Sequence, residues 1–218
     1  MIPLTTIKNI PLFTGLSDQE LDSLVKVAIK KTFPKSTVLC NEGDQSNSLY
    51  VICSGKVKVT KNDEDGKEVI LAMLGPGEYF GEMSLLDSEP RSASVTTKEQ
   101  TEIMLFSRDD FMRIFSSNPV ASNLLKGLLT RLREANKKIE SLALLDVYGR
   151  IAKLLNQLAE PQGDTLVIEE RLTHQEIANM IGSSREMVTI ILKELSNGEY
   201  ISIDKKQITI KKKLPYAW

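Results

Sequence analysis

The stretch from about Phe33 to Phe106 constrains the fold more than any other part of the chain, because short β-prone runs alternate there with glycines. YVICSGKVKVT, KEVILAML and TEIMLFS are such runs, and the NDEDG cluster between two of them is typical of a hairpin turn. The glycines at the ends of the runs are Gly43, Gly55, Gly66, Gly75, Gly77 and Gly81. Many short strands with frequent turns favour an antiparallel barrel or jelly roll.

A short helix is predicted before this region. Ser17 and Glu20 have the spacing of a capping box, in which each side chain satisfies a backbone N–H group at the helix start. The apolar residues of one helical face then follow at Leu21, Leu24, Val25 and Ala28.

A long helical segment follows the β-rich region, and Asn118-Pro119 is expected to divide it from a shorter helix before it. Beyond this break, apolar residues recur at alternating steps of three and four, which is typical of a helix that packs against a copy of itself. Packing against its own β domain is the alternative. The predicted seam is Leu125, Leu128, Leu132, Ala135 or Asn136, Ile139 and Leu142 or Ala143. The polar Asn136 interrupts this seam and could set its register or contact a ligand.

Asp146 is a good N-cap, so we expect the long helix to end near Leu145 and a new helix to begin after Asp146. PQGD, residues 161–164, is predicted to be a loop, and TLVIEE after it a short strand.

Near the C-terminus, RLTHQEIANMIGSSREMVTIILKELSN predicts two short helices. Thr173 and Glu176 have capping-box spacing at the start of the first, and Ser183 and Glu186 have it at the start of the second. The turn between them contains Gly182, and two short helices joined in this way form a helix-turn-helix.

The second helix of such a motif enters the DNA major groove, where its first residues contact base edges. Arginine can donate two hydrogen bonds to guanine, and glutamate can accept one from the cytosine amino group. Arg185 and Glu186 are therefore suited to reading bases, although capping is an alternative role for Glu186. The residues expected at the base edges are Ser183, Ser184, Arg185, Glu186 and Thr189.

The segment GEYISIDKKQITIKK predicts a two-stranded wing that turns at Asp204-Lys205. Lysines here could contact DNA phosphates, which set the register of binding and its salt dependence. The candidates are Lys193, Lys205, Lys206 and the run Lys211 to Lys213, although that run could also be a solvated tail. Thr173 and His174 begin the first helix, and we expect His174 to be exposed within reach of a phosphate.

Composition excludes several other classes of protein. The 218 residues suffice for one large or two small domains, and the net charge of −1 means that any DNA contact must come from a local basic patch. No apolar run approaches the roughly 20 residues of a membrane helix. The first residues, MIPLTTIKNIPLF, lack the layout of a signal peptide, so we expect a cytoplasmic protein.

Two cysteines and one histidine leave little scope for a metal or catalytic centre. Cys40 and Cys53 lie in apolar, strand-like sequence and are expected in the core, and an iron–sulfur cluster needs about four ligands. His174 alone cannot form a histidine-rich metal site. We expect no enzyme activity, no cofactor and no metal.

The order of β-roll, long helix and winged helix-turn-helix, together with the motif GEMSLLDSEPRSAS, resembles the bacterial cyclic-AMP receptor protein/FNR family of transcription regulators. The motifs that carry this resemblance are GEYFGEMSLLDSEPRSASV (77–95), LALLDVYGRIAKLL (142–155) and THQEIANMIGSSREMV (173–188). The resemblance implies an α+β fold with an antiparallel β jelly-roll domain that binds a cyclic nucleotide (1–117). A dimerisation helix with a hinge (118–145) and a winged helix-turn-helix domain (146–218) would follow it.

In that family the segment from Gly81 to Ser94 is a phosphate-binding cassette. By resemblance, Glu82 would accept a hydrogen bond from the ribose 2′-hydroxyl, and Arg91 and Ser92 would bind the phosphate through charge-assisted hydrogen bonds. The other pocket residues would be Gly81, Met83, Ser84 and Ala93. The alternative is that Arg91 forms a salt bridge to Glu82 inside an empty roll.

Two positions depart from the family pattern. Ala135 and Asn136 stand where cyclic-AMP receptor proteins carry a Thr-Ser pair that reaches the adenine across the dimer. Cyclic AMP is the first expectation, with cyclic GMP or a cyclic dinucleotide behind it. Ile190 stands where the family often has a second base-reading arginine, which allows a different operator.

We therefore expect a homodimeric transcription regulator that responds to a cyclic nucleotide, with double-stranded DNA and RNA polymerase as partners. Nucleotide binding would order the long helix near Ala135 to Leu145 and place the two recognition helices about one DNA turn, roughly 34 Å, apart. One rival is a DNA-binding regulator of the same fold that responds to cyclic GMP, to cyclic di-GMP, to redox state through its cysteines, or to no effector. Another is an enzyme that uses the roll as a pocket, but Glu82 has no evident catalytic partner.

Overall fold

In the computed structural model, which describes residues 7–116, 118–163, 165–170, 172–204 and 207–214, the chain divides into two compact units. The N-terminal unit is Met1–Leu132 and the C-terminal unit is Arg133–Trp218.

Strands β1 to β8 of the N-terminal unit form two antiparallel sheets, with the orders β1-β8-β3-β6 and β2-β7-β4-β5. The strands are β1 (Ile29–Phe33), β2 (Val38–Cys40), β3 (Ser48–Ser54), β4 (Val57–Asn62), β5 (Glu68–Leu74), β6 (Tyr79–Phe80), β7 (Ser94–Thr97) and β8 (Thr101–Ser107). The predicted antiparallel jelly roll is confirmed, as is the β4–β5 hairpin at NDEDG.

The central strands β3 and β8 of the first sheet are largely covered on both faces, which explains why SLYVICS of β3 is apolar nearly throughout, whereas the edge strand β1 is mostly exposed. Ile52 and Ile103 pack between the two sheets against residues such as Val95. Their neighbours Val51 and Met104 point the other way, into a core shared with the helices.

The helices of this part of the chain begin and end largely where the sequence predicts. A 3-10 turn (Pro11–Phe13) precedes α1 (Asp18–Val27), α2 (Glu82–Leu86), α3 (Arg108–Phe115) and the long α4 (Asn118–Leu144). The capping box before α1 is confirmed: Ser17 Oγ accepts from the Glu20 N–H, and Glu20 Oε2 accepts from the Ser17 N–H at 2.7 Å. The break between α3 and α4 at Asn118-Pro119 is also confirmed.

The long helix α4 exposes an apolar stripe, but the predicted seam is wrong at one position. Leu128 packs into the core of the roll beside Leu124, because these two residues share the inner face of the helix. Leu129 is exposed in its place. The exposed stripe is therefore Leu125, Leu129, Leu132, Ile139 and Leu142, with Ala135 and Asn136 exposed between its two halves.

The C-terminal unit packs three helices on a small antiparallel sheet of order β11-β12-β10-β9. Its elements are α5 (Val147–Leu158), β9 (Glu160–Gln162), β10 (Thr165–Ile168), α6 (His174–Ile181), α7 (Arg185–Asn197), β11 (Ile201–Asp204) and β12 (Gln207–Ile210). Asp146 caps α5 as predicted, accepting from the Gly149 N–H at 2.8 Å. The core of this unit includes Ile151, Leu155 and Ile177.

One loop prediction in this unit is wrong. Residues 161–162 of PQGD belong to strand β9, which pairs with β10 and places Pro161 opposite Leu166. The proline is compatible with a strand here because β9 is at the sheet edge, where one side of the backbone needs no hydrogen-bond donor. Asp164 lies outside the described residues.

Candidate functional sites

The first candidate site lies at the turn from β6 into α2. Gly81 caps α2 in the left-handed conformation, with φ of 88°, which glycine adopts without steric cost. A Cβ at this position would overlap the Arg91 guanidinium and would lie 2.9 Å from the Ser48 carbonyl oxygen. Glycine is therefore required here both for the turn and for the close approach of Arg91.

Arg91 is a buried cation, with 4% of its surface exposed. Its Nη1 donates to Ser84 Oγ at 3.0 Å, and its Nη2 donates to Ser46 Oγ at 2.5 Å and to the Ser48 carbonyl at 2.6 Å. Its Nε is buried without a partner, and no carboxylate among the described residues pairs with this guanidinium. A buried charge held only by neutral oxygens is costly, and an anion would complete the arrangement.

The backbone holds Arg91 in this position through a neighbouring turn. The Arg91 N–H donates to the Asp44 carbonyl, and the Gly43 N–H donates to the Arg91 carbonyl, both at 2.9 Å. The Arg91 guanidinium also lies 5.4 Å from the centre of the Tyr50 ring. The cation is thus held in part by a segment more than 40 residues away in the sequence.

Glu82 does not pair with Arg91, so the predicted alternative of a salt bridge between them is wrong. Glu82 is 2% exposed, and its Oε1 lies 2.7 Å from Nη1 of Arg131 on α4. The other guanidinium nitrogen of Arg131 donates to the Tyr79 carbonyl, and its charge lies 4.7 Å from the centre of the Tyr79 ring. The pair joins the start of α2 directly to the long helix.

Arg131 is the site residue that the sequence interpretation missed, although a signal was present. Gly127 lies one helical turn before it, and a Cβ at Gly127 would overlap the Tyr79 hydroxyl. Glycine is unfavourable inside a long helix by about 1 kcal/mol, so its presence indicates close packing on that face. An arginine four residues later shares the same face.

The remaining predicted pocket residues divide between buried and exposed positions. Ser84 and Ala93 are buried, while Met83 and Ser92 are exposed, with the Ser92 hydroxyl 3.7 Å from the Met83 sulfur. Ala135 and Asn136 are exposed residues of α4 in the C-terminal unit, and their contact with a ligand stays a prediction.

The two cysteines are poor candidates for a redox sensor. Cys40 is buried and Cys53 half-buried, and neither forms a disulfide. Burial raises the pKa of both thiols above the ordinary value, so they stay protonated and weakly nucleophilic.

The second candidate site is the helix-turn-helix, whose first helix follows the prediction. Thr173 Oγ1 accepts from the Glu176 N–H at 3.1 Å, and Glu176 Oε2 accepts from the Thr173 N–H at 2.8 Å, which confirms the capping box. Gly182 ends α6 in the left-handed conformation, with φ of 65°.

The predicted cap of the second helix is wrong by one residue. Ser184, and not Ser183, caps α7, accepting from the Met187 N–H at 3.2 Å. The Ser183 N–H instead donates to the Ala178 carbonyl, because Ser183 belongs to the tight turn after α6. Glu186 therefore has no capping partner, and within the described part of the chain its carboxylate makes no hydrogen bond or ion pair.

The exposed face of α7 carries most of the predicted DNA-contacting residues. Arg185, Glu186 and Lys193 are exposed, while Val188, Ile191, Leu192 and Leu195 are buried in the core beneath them. This separation leaves charged groups of both signs on one surface of the helix.

His174 is not free at the surface as predicted, because it is half-buried and bonded to Thr189. The Thr189 hydroxyl donates to the Arg185 carbonyl at 2.8 Å, so it accepts from His174 Nδ1–H at 2.8 Å. His174 and Thr189 thus join α6 to α7 near the positions expected to meet DNA.

The wing prediction is confirmed in its strands, with β11 and β12 paired from Ile201↔Ile210 to Asp204↔Gln207. Its turn residues Lys205 and Lys206 lie outside the described residues. Lys212 has an intramolecular partner, Glu199 at 3.5 Å, while Lys211 and Lys213 are exposed.

In the described residues, no three histidine, cysteine or acidic side chains converge as a metal site would require. None of the described helices combines the length and the apolar character needed to cross a bilayer.

Comparison with known families matches both parts of the chain. Residues 30–118 match the model of the cyclic nucleotide-binding domain, and residues 149–213 match that of the Crp-like helix-turn-helix domain.

The chain is also similar to curated proteins over most of its length. It is 34% identical over 204 residues to the CRP-like cAMP-activated global transcriptional regulator of Mycobacterium tuberculosis, covering 91% of each protein. It is 38% identical over 191 residues to the cyclic AMP receptor protein of Thermus thermophilus, covering 87% of each. Among solved structures, the c-di-GMP responsive global regulator CLP of Xanthomonas campestris is similar, with a TM-score of 0.77 and 28% identity over 90% of this chain and 100% of that one.

Proposed function

This chain belongs to the cyclic-AMP receptor protein/FNR family of transcription regulators, and from that premise we propose a homodimer whose DNA binding is controlled by cyclic AMP at Arg91. The chain is a cyclic-nucleotide-binding, DNA-binding regulator and not an enzyme. The identity of the nucleotide, the dimer and the roles of single residues are the proposed part.

The observation that carries the proposal is the unpaired charge of Arg91. A buried guanidinium with an unsatisfied Nε and no carboxylate partner among the described residues suits a small anion. The cyclic phosphate carries one negative charge and two free oxygens that can accept from this fork. Ser92 is close enough in sequence to add a hydroxyl donor to the same oxygens.

Glu82 and Arg131 supply the proposed link from the ligand to the long helix. Glu82 can accept a hydrogen bond from a ribose hydroxyl only with the oxygen lone pairs that Arg131 leaves free. Ribose binding therefore changes the environment of the ion pair that joins α4 to the start of α2. A ligand shifts a conformational equilibrium only through such a difference in contacts between the two states.

Cyclic AMP is proposed ahead of cyclic GMP because two relatives of substantial identity are named for cyclic AMP. Ala135 and Asn136 keep the alternative open, since Asn136 can donate to and accept from either purine. The similarity to a regulator named as responsive to c-di-GMP makes that dinucleotide the third ligand to test.

The proposed dimer rests on the exposed stripe of α4. Leu125, Leu129, Leu132 and Ile139 follow one another at steps of four, three and seven, which is a heptad seam left open to solvent. Pairing of two such helices would bury this stripe and would present two recognition helices to successive major grooves, about 34 Å apart. RNA polymerase is the proposed partner at the promoter.

Isothermal calorimetry of the full chain with cyclic AMP, cyclic GMP and cyclic di-GMP tests the ligand. We expect the tightest binding for cyclic AMP, followed by a gel shift in which the same nucleotide promotes DNA binding. Absence of heat with all three, from protein whose melting is cooperative, would refute the ligand while leaving DNA binding to be tested alone. Arg91→Ala should lose this binding heat. Arg113→Ala, which removes an exposed arginine of α3, is the control for the loss of a positive charge.

A further inference from the structure

The outer face of the recognition helix carries an isoleucine between charged residues. Ile190 is 50% exposed, and it lies four residues after Glu186 and three before Lys193, both of which are exposed. Residues at these spacings form one line along a helix. Single exposed apolar residues are common on protein surfaces. This one, however, occupies the middle of the line proposed to enter the major groove.

Helical geometry separates Ile190 from the other exposed apolar residue of α7. At about 100° per residue, Ile190 points roughly 150° away from the centre of the buried stripe of Val188, Ile191, Leu192 and Leu195. Met187 is 42% exposed but points only about 90° away, toward the side of the helix. Ile190 is thus the apolar residue that faces directly outward.

The chemistry of this side chain restricts which base it can meet. Isoleucine has no donor or acceptor, so a polar base edge pressed against it would lose hydrogen bonds to water without replacement. In the major groove, thymine is the base that presents a methyl group. A β-branched side chain in a helix also keeps one dominant rotamer, so little entropy is lost when it is buried.

We propose that Ile190 reads thymine in each half-site through contact with its 5-methyl group, beside the polar reading by Arg185 and Glu186. This assignment rests on the proposed DNA-binding role of α7. Ile190 is then a specificity-determining residue, and the operator carries thymine where an arginine would have selected guanine.

The test begins with the full chain in cyclic AMP, used to select tight-binding duplexes from a random pool. The dissociation constant is then measured by fluorescence anisotropy for the selected duplex and for duplexes with each thymine of the half-site changed to uracil. Uracil keeps every hydrogen-bonding group of thymine and lacks only the methyl. We expect one thymine per half-site at which this change weakens binding about four-fold, or on the order of tenfold when both half-sites are changed.

Ile190→Ala and Met187→Ala form the matched pair of variants. We expect Ile190→Ala to bind the thymine and uracil duplexes equally while it still binds cyclic AMP, and Met187→Ala to keep the wild-type ratio. Equal binding of the two duplexes by the wild-type chain overturns the assignment, as does loss of discrimination in Met187→Ala alone. Failure to select any duplex in cyclic AMP overturns the proposed cyclic AMP-dependent DNA binding, and so differs from both results.

Discussion

Two arginines, Arg91 in the roll and Arg185 at the start of α7, are proposed to bind different ligands, and their guanidinium groups lie in opposite environments. Arg91 is buried and already held by Ser84, Ser46 and the Ser48 carbonyl, whereas Arg185 is exposed and makes no hydrogen bond through its side chain within the described residues. A buried and prepositioned cation suits one small anion, because its desolvation has already occurred on folding. An exposed cation can adjust to base edges and phosphates on a large ligand.

The largest expected effect is on nucleotide binding by Arg91→Ala. Removal of a buried, hydrogen-bonded charge from a ligand site should weaken cyclic AMP binding at least about 100-fold, or roughly 3 kcal/mol. Because the partners of Arg91 are neutral, no buried carboxylate is left unpaired and the roll should melt at or above the wild-type temperature. Calorimetry and thermal melting measure both quantities. Wild-type affinity for cyclic AMP in this variant would contradict the proposed binding of the phosphate by Arg91.

Gly81→Ala should damage the roll site through the backbone. The new Cβ is in the left-handed region and overlaps Arg91, so we expect about 3 kcal/mol lower unfolding free energy and loss of nucleotide binding. Gly66→Ala is the matched control, since its φ is +79° but nothing lies within 4 Å of its Cβ position. It should lose only about 1 kcal/mol, measured by urea denaturation. Equal losses in the two variants would refute the packing argument.

Arg131→Ala should destabilise the chain by about 2 kcal/mol, because it leaves the buried Glu82 carboxylate without its partner. This value is reduced from that of a fully buried pair, since the Arg131 side chain is 33% exposed and screened by water. The double variant Glu82→Gln, Arg131→Gln removes both charges and should recover part of the loss. A double-mutant cycle in urea, built from Glu82→Gln, Arg131→Gln and the double variant, that yields no coupling would show that the pair does not hold α4 to α2.

Arg185→Ala should affect DNA recognition and leave nucleotide binding unchanged. We expect a loss of about 1–3 kcal/mol of discrimination between the operator and unrelated DNA, with cyclic AMP affinity unchanged. Competition gel shifts measure the first quantity and calorimetry the second. A fall in nucleotide affinity in this variant would mean that the two arginines do not serve separate ligands.

The smallest expected effect is that of cysteine oxidation on DNA affinity. Because burial raises the pKa of Cys40 and Cys53, both thiols should react with a thiol reagent far more slowly in the native protein than in urea. Mild oxidation should leave DNA affinity unchanged in the gel shift. A change in affinity on oxidation, reversed by a reductant, would favour the redox rival.

Local signals were predicted from the sequence with good accuracy. The capping boxes at Ser17 and Thr173 need only residues three positions apart, and the turn at Gly182 needs only a left-handed residue. The predicted N-cap of α7 was wrong by one residue. Ser183 and Ser184 both have the chemistry of an N-cap, and only the length of the turn decides between them.

Contacts between residues distant in the chain could not be predicted from the sequence in this way. Arg131 and Glu82 are 49 positions apart, and either could have had another partner or none. Leu128 and Leu129 both fit a heptad within one residue, and only packing of the roll against α4 decided which of them is exposed.

By itself, then, the sequence determined the order of the elements, the capping boxes at Ser17 and Thr173 and the chemistry available at each motif, since these depend on residues close in the chain. The tertiary structure alone decided that Arg91 donates only to neutral oxygens, whereas Arg131 forms an ion pair with Glu82. Burial makes an unpaired charge expensive, and which charges become paired depends on which segments the fold brings together.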